Sequence, residues 1–130
     1  MKINHLTALE QINSPASAQL IAALETELKR PLPIQYRQLL LTANGMIFEN
    51  GLVLYSTDDV VERNETFEVG TYAPGYLAVG DDSGGKAVMI AIETQGVFMV
   101  GMGSMDPDDM IQISDCLESW VTDGFPMPEQ

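Results

Sequence analysis

The residues in this sequence whose types suit catalysis form incomplete sets. Asp82-Ser83-Gly84-Gly85 has the order found around some nucleophilic serines. Such a serine needs a positioned base, usually a histidine with an acid behind it. The only histidine is His5, which lies close to the N-terminus. We therefore expect this segment to be a hairpin turn, with Gly84 and Gly85 both supplying positive φ, and we predict no catalytic residues.

Cofactor and metal patterns are also broken. Gly101-Met102-Gly103 begins like a dinucleotide fingerprint, but Asp106 holds the third glycine position and would repel a pyrophosphate. The stretch from Asp82 to Glu93 has the length of a calcium loop, yet Lys86 stands where an oxygen ligand is needed. One histidine and one cysteine make a tetrahedral zinc site improbable. We predict no metal site and no cofactor. Paired carboxylates leave acid–base hydrolysis open, since nothing in their spacing selects one pair.

Charge is distributed unevenly along the chain. The net charge is −13, and residues 46–130 carry sixteen acidic and two basic side chains, a net of −14. Such a surface repels nucleic acid and anionic lipid, and it attracts a basic protein. Solubility alone is an equally good explanation of the charge. We therefore expect a protein partner and neither nucleic acid nor membrane.

Two helices are predicted first. Ser14-Pro15 is typical of a helix start, and Leu20, Ile21, Leu24 and Leu28 repeat at helical spacing. A second helix is predicted from about Pro33 to Ala43, ended by Asn44-Gly45.

Strands dominate the rest of the chain, at 52–55, 76–80, 87–92 and 97–100, with a short helix from Asp58 to Asn64. A last helix is predicted between Ser114 and Gly124, with Leu117, Trp120 and Val121 on its buried face. Helices and strands are segregated, so the fold class is α+β.

The chain length of 130 residues fits one domain, 1–130, and we expect 1–13 and 125–130 to be loosely held. A single cysteine, Cys116, fits a reducing compartment. The first residues lack the apolar stretch of a signal peptide, and the longest apolar run, 87–92, is too short to cross a bilayer. We therefore expect a cytoplasmic protein.

Several pieces occur in an order that resembles the SUKH superfamily, which includes a yeast cell-wall-synthesis regulator and many bacterial immunity proteins. These pieces cover about residues 17–124 and are Glu27, Leu32-Pro33, Tyr36, Leu39-Leu40, Asn44-Gly45, the stretch 75–85, Gly96-Val97-Phe98, and Ser114 through Trp120-Val121. Met46 and Ala87 depart from the usual pattern at positions that concern packing. The resemblance implies a central, mostly antiparallel sheet flanked by helices, and it transfers no catalytic residue.

The resemblance also implies a function in protein binding. Bacterial members are commonly antidotes that bind a cognate toxin, often a nuclease, and an acidic protein is suited to occupy a basic cleft. The alternative is a regulatory or scaffold module without a toxin partner. An enzyme or small-ligand binder is the third hypothesis. The sequence leaves the oligomeric state open.

Two acidic, loop-rich stretches are the predicted partner-contact surface, because binding residues gather on loops. One contains Asp58, Asp59, Glu62, Glu65 and Glu68, and the other contains Met102, Met105, Asp106, Asp108 and Asp109. The alternatives are that Asp58 and Asp59 only complement a helix dipole, that the methionines fill core gaps, and that the aspartates are merely solvated.

Overall fold

In the described part of the chain, seven antiparallel strands form one sheet in the order in which they occur along the sequence. A computed structural model describes Met1, Ile3 and residues 8–128. The strands are β1 (Leu9–Ile12), β2 (Met46–Phe48), β3 (Val53–Leu54), β4 (Tyr76–Asp81), β5 (Lys86–Ala91), β6 (Val97–Gly101) and β7 (Ile111–Ser114). This meander confirms the α+β class and the antiparallel sheet.

The helices are α1 (Ala18–Leu28), α2 (Ile34–Thr42), α3 (Val60–Thr66), α4 (Val69–Tyr72) and α5 (Leu117–Thr122), with a 3₁₀ turn at Pro107–Asp109. Helix α1 begins later than predicted, because Ser17 is its N-cap and accepts a hydrogen bond from the Leu20 amide. Helix α5 is capped by the Cys116 side chain.

Both faces of the sheet are covered. On one face, residues of α1, α2 and α5 pack against alternate residues of β4 to β6, and Trp120 is fully buried there. On the other face, Val69 and Ala73 of the α4 region pack against Ala78, Ala87 and Met89. Strand β5 is therefore buried on both sides, as its unbroken apolar sequence predicts.

Strands β1, β2 and β7 and helix α4 were not predicted from the sequence. Within the segments expected to be loosely held, Leu9–Ile12 pair with β2 and Phe125 is 1% exposed. Residues 2, 4–7, 129 and 130 of these segments lie outside the described residues. The Trp120 Nε1–H donates to the Pro126 carbonyl oxygen at 2.8 Å, which holds the C-terminal segment against the core.

The β4–β5 connection is a turn built by two aspartates. Asp82 Oδ1 accepts hydrogen bonds from the Gly84 and Lys86 amides, and Asp81 Oδ1 accepts one from the Ser83 amide. The Ser83 hydroxyl donates to the Gly51 carbonyl oxygen at 2.6 Å and so joins this turn to the β2–β3 connection. The Asp82–Gly85 segment is thus the predicted turn.

The expectation that both glycines have positive φ is correct for one of them. Gly85 has φ +101°, and Ser83 takes the other left-handed position at φ +62°. Gly84 does not have a positive φ, because the carboxylate of Asp82 closes the turn over its amide.

Gly85→Ala is expected to lower the free energy of unfolding by about 1–2 kcal/mol, the cost of a Cβ in the left-handed region. Gly84→Ala is the matched control, since its new Cβ would lie 3.4 Å from the nearest side-chain atom, an ordinary contact. Urea denaturation of both variants measures the difference. Equal stability of the two variants would contradict this account of the turn.

Candidate functional site

A cleft forms where the α3–α4 junction meets the turn after β6. It has a volume of about 340 Å³. Its lining includes Glu68 from the first predicted acidic stretch, and Met102 and Met105 from the second. Its lining residues are Thr66, Phe67, Glu68, Tyr72, Met102, Gly103, Ser104 and Met105.

Unusual backbone conformations shape both walls of this cleft. Glu68 has φ +55°, which separates α3 from α4, and Met105 has φ +52° in the turn after β6. A non-glycine residue in the left-handed region costs about 1–2 kcal/mol. Such residues persist where surrounding packing holds them, and they are concentrated at binding sites.

Tyr72 is the large side chain most available at the cleft. It is 54% exposed, while Val69 and Ala73 of the same segment are buried against the sheet. Tyrosine combines a large apolar ring with a polar hydroxyl, so it is enriched in protein interfaces. Sequence reasoning missed Tyr72 because α4 has only four residues and shows no full helical period.

The two predicted methionines differ in their surroundings. Met102 is half-buried at the cleft, and its amide donates to the Gly85 carbonyl oxygen at 2.9 Å. Met105 is 1% exposed and packs in the core beside Val100 and Met89. A buried side chain does not touch a partner, so Met105 is part of the core beneath the cleft. The alternative that a methionine fills a core gap is therefore correct for Met105.

The acids of the first stretch divide into two groups. Glu65 and Glu68 are exposed and share a second shallow depression with Glu27, next to the cleft. Asp58 and Asp59 are exposed at the other end of α3, about 10 Å away along seven residues of helix. The structure therefore does not bring these two aspartates to the cleft.

Glu62 lies on α3 between these groups, 66% exposed, with its carboxylate 3.7 Å from the Arg63 Nε. An exposed pair of this kind contributes little to stability.

The aspartates after β6 have local structural roles in addition to their exposure. Asp106 Oδ1 accepts a hydrogen bond from the Asp108 amide at 2.9 Å and caps the 3₁₀ turn. Asp109 accepts a hydrogen bond from the Ser104 hydroxyl. Asp108 is exposed at the same turn. The loop is thus held in one shape, and its carboxylates are exposed beside the cleft wall.

Two tyrosines are held in the neutral form by their surroundings. Burial raises the pKa of Tyr55 well above its usual range, and the hydrogen bond from its hydroxyl to Asp81 raises it further. Burial alone raises the pKa of Tyr36. Neither group titrates near neutral pH, so neither is suited to act as a base.

Met1, Ile3 and residues 8–128 contain neither a metal-binding cluster nor a membrane-spanning helix. This part of the chain has no group of three or more His, Cys, Asp or Glu side chains placed to hold a metal ion. It also contains no helix with the length and apolar character that a bilayer crossing requires. His5 lies outside the described residues.

An antiparallel meander with helices packed on both faces defines an α+β domain. Residues 15–123 match the SMI1/KNR4 family (SUKH-1). The chain belongs to this family, in agreement with the resemblance seen in its sequence. It is also 29% identical over 109 residues to a Bacillus subtilis (strain 168) protein named "Uncharacterized protein YnaB", covering 82% of this chain and 74% of that protein.

Proposed function

We propose that this protein is a non-catalytic, cytoplasmic immunity protein that neutralises a toxin by binding a basic domain of it. The observation that carries the proposal is the cleft, which exposed Tyr72 lines together with Glu68 and Met102. Family membership supports a role in protein binding, and the exposed acids give the sign of the partner's charge.

The cleft has the composition of a protein-binding site. An exposed aromatic side chain supplies contact area, and the surrounding carboxylates orient a basic partner and speed its association. Phe67 and Met102 line the cleft, are partly buried, and pack against the buried residues on the α4 face of the sheet. The partner-contact residues proposed here are Glu65, Glu68, Tyr72, Met102, Asp106, Asp108 and Asp109.

Toxin neutralisation is favoured over a regulatory or scaffold role by charge. A toxin that cleaves nucleic acid needs a basic cleft for phosphates, and an acidic protein that covers this cleft blocks the substrate. The net charge of −13 suits this role.

Site-specific photocrosslinking tests the proposal. A photoreactive phenylalanine analogue replaces Tyr72 in one variant and Ile12 in the control, because Ile12 is 49% exposed on the edge strand β1. Each variant is expressed in the source cell and in mixed culture with its neighbours, and the adducts are identified by mass spectrometry. We expect the variant with the analogue at position 72 to crosslink to a basic domain, and the variant with the analogue at position 12 to give no such adduct.

The captured domain is then expressed alone in a heterologous cell. Inhibition of growth, reversed by co-expression of the present protein, is the expected result. A captured partner without toxicity would support the regulatory module instead. Equal capture at both positions, or no adduct at position 72, would refute the cleft as the interface.

A further inference from the structure

Helix α2 exposes two large apolar side chains along its outer face. Ile34 is 73% exposed and Leu41 is 45% exposed. Gln38 is exposed between them, and the spacing of four and three residues places all three on one face of the helix. The inner face, which carries Tyr36 and Leu40, is buried in the core. We call Ile34, Gln38 and Leu41 the α2 ridge.

Shallow depressions border the α2 ridge on both sides. One of about 170 Å³ lies between α1 and α2 and is lined in part by Ala18, Ala22 and Leu41. Another of about 570 Å³ lies between α2 and α5 and is lined in part by Leu41, Glu118 and Thr122. Two helices pack when the ridge side chains of one enter the grooves beside the other. The outer surface of α2 therefore has the relief that a second helix requires.

The α2 ridge is close to electrically neutral, in contrast to the rest of the chain. Arg37 is the only charged side chain of α2, and its Nη2 donates to Glu25 Oε2 at 2.6 Å. Residues 11–24, which include the first half of α1, contain no charged side chain. Residues 46–130, by comparison, carry a net charge of −14.

This charge distribution favours a second copy of the chain as the occupant of the ridge. A twofold interface places a surface against itself, so an acidic surface repels its own copy whereas a neutral apolar one does not. A basic domain, the partner proposed for the cleft, finds no complementary charge at the α2 ridge. Two exposed apolar side chains at helical spacing fit the same two on a second copy.

We propose that two copies of this protein associate through the α2 ridge, with their α2 helices side by side and parallel about a twofold axis. Ile34, Gln38 and Leu41 of one copy would each face the same residue of the other. The acidic cleft contains α4, which packs on the other face of the sheet, so both clefts stay accessible in the dimer. This inference does not depend on the function proposed above.

The parallel arrangement follows from the charges on either side of the ridge. Arg37 lines the depression on the α1 side, and Glu118 lines the depression on the α5 side. With parallel α2 helices, the α1 side of one copy lies over the α5 side of the other, so that Arg37 faces Glu118 of the second copy. Antiparallel helices would instead place Glu118 against Glu118. Arg37 is 43% exposed and so retains donors for a second carboxylate.

The size of the surface sets the expected affinity. Helix α2 lies between α1 and α5, and packed helices are about 10 Å apart, so the layer is about 30 Å wide and about 14 Å long. Such an area is at the lower end of specific interfaces. We therefore expect a reversible dimer with a dissociation constant of about 10–100 μM.

Sedimentation equilibrium of the full chain, at about 5 to 500 μM and at two salt concentrations, tests the association. We expect a monomer–dimer equilibrium that becomes tighter at high salt, because ions screen the repulsion between two chains of charge −13. A basic partner at the cleft should show the opposite salt dependence. A monomer at every concentration, or a dimer that salt weakens, would overturn the proposal.

Ile34→Glu and Leu41→Glu are each expected to weaken the dimer at least about 100-fold, since each dimer carries the change twice and each copy contributes about tenfold. Both side chains are exposed in the monomer, so the fold should tolerate the substitutions. The matched control is Ile111→Glu, which makes the same change at a residue 64% exposed on β7. It should alter the dissociation constant less than about threefold. Equal weakening by Ile111→Glu would refute the α2 ridge as the interface.

Disulfide formation tests the arrangement of the helices. Cys116→Ser is the background, because serine preserves the N-cap of α5. Under mild oxidation we expect Ile34→Cys and Gln38→Cys each to form a covalent dimer, and Thr71→Cys, exposed on α4, to form none. A covalent dimer with Gln38→Cys but not with Ile34→Cys would overturn the parallel arrangement. No covalent dimer with either, or equal dimer formation by Thr71→Cys, would overturn the interface.

Discussion

Trp120→Ala is expected to lower the free energy of unfolding by about 3–5 kcal/mol, the usual cost of removing a buried tryptophan. The Trp120 side chain is fully buried, and its ring packs edge-on against Phe125 with centroids 5.2 Å apart. Its Nε1–H also donates a hydrogen bond to the Pro126 carbonyl oxygen. The substitution therefore leaves a cavity and releases the C-terminal segment together.

Denaturation in urea, monitored by circular dichroism, measures the loss. The matched control is Tyr72→Ala, which also removes an aromatic ring but at a site 54% exposed, and it should cost far less stability. Tyr72→Ala is instead expected to weaken partner binding. A red-shifted tryptophan emission that iodide quenches readily in the native protein would contradict the core position of Trp120.

Reversing three charges at the cleft is expected to slow association with the basic partner by about 10- to 1000-fold at low salt, because steering by a charged surface has this range. The variant is Glu65→Lys, Glu68→Lys and Asp108→Lys, and all three side chains are exposed. Asp106 is left unchanged, since its side chain caps the 3₁₀ turn.

The control variant makes the same change in net charge elsewhere. It carries Glu10→Lys, Asp115→Lys and Asp123→Lys, which are also exposed and lie on β1 and at the two ends of α5. In stopped-flow measurements, the association rates of the cleft variant and the wild type should converge as the salt concentration rises, because ions screen exposed charges. An equal slowing of the two variants would show that the total charge, and not the cleft, guides the partner.

Local signals in the sequence determined the parts of the fold that are stabilised locally. The two early helices, the buried strands β4 to β6 and the burial of Trp120 follow from periodicity and from stop signals such as Asn44-Gly45. The Asp81–Gly85 turn follows from residue chemistry alone. The excess of acids after residue 45 is likewise a property of the sequence.

Short elements and distant contacts were decided by tertiary structure. Strand β2 has three residues, too few for an alternating pattern, and it exists because β1 and β3 supply its hydrogen-bond partners. Asn64 also depends on a distant partner, since its side-chain amide donates to the Ala78 carbonyl oxygen of β4 and accepts a hydrogen bond from the Ala78 amide.

The candidate site depended on tertiary structure most strongly. The acids and methionines were recognisable in the sequence, but their sequence separation gave no indication of which ones meet. Packing of α4 on the second face of the sheet brings Glu68 and Tyr72 to Met102, buries Met105, and leaves Asp58 and Asp59 at the far end of α3. Composition therefore determined the net charge of this protein. Long-range packing decided where the cleft forms and which acidic side chains lie next to it, because contacts between distant residues leave no periodic trace in a single sequence.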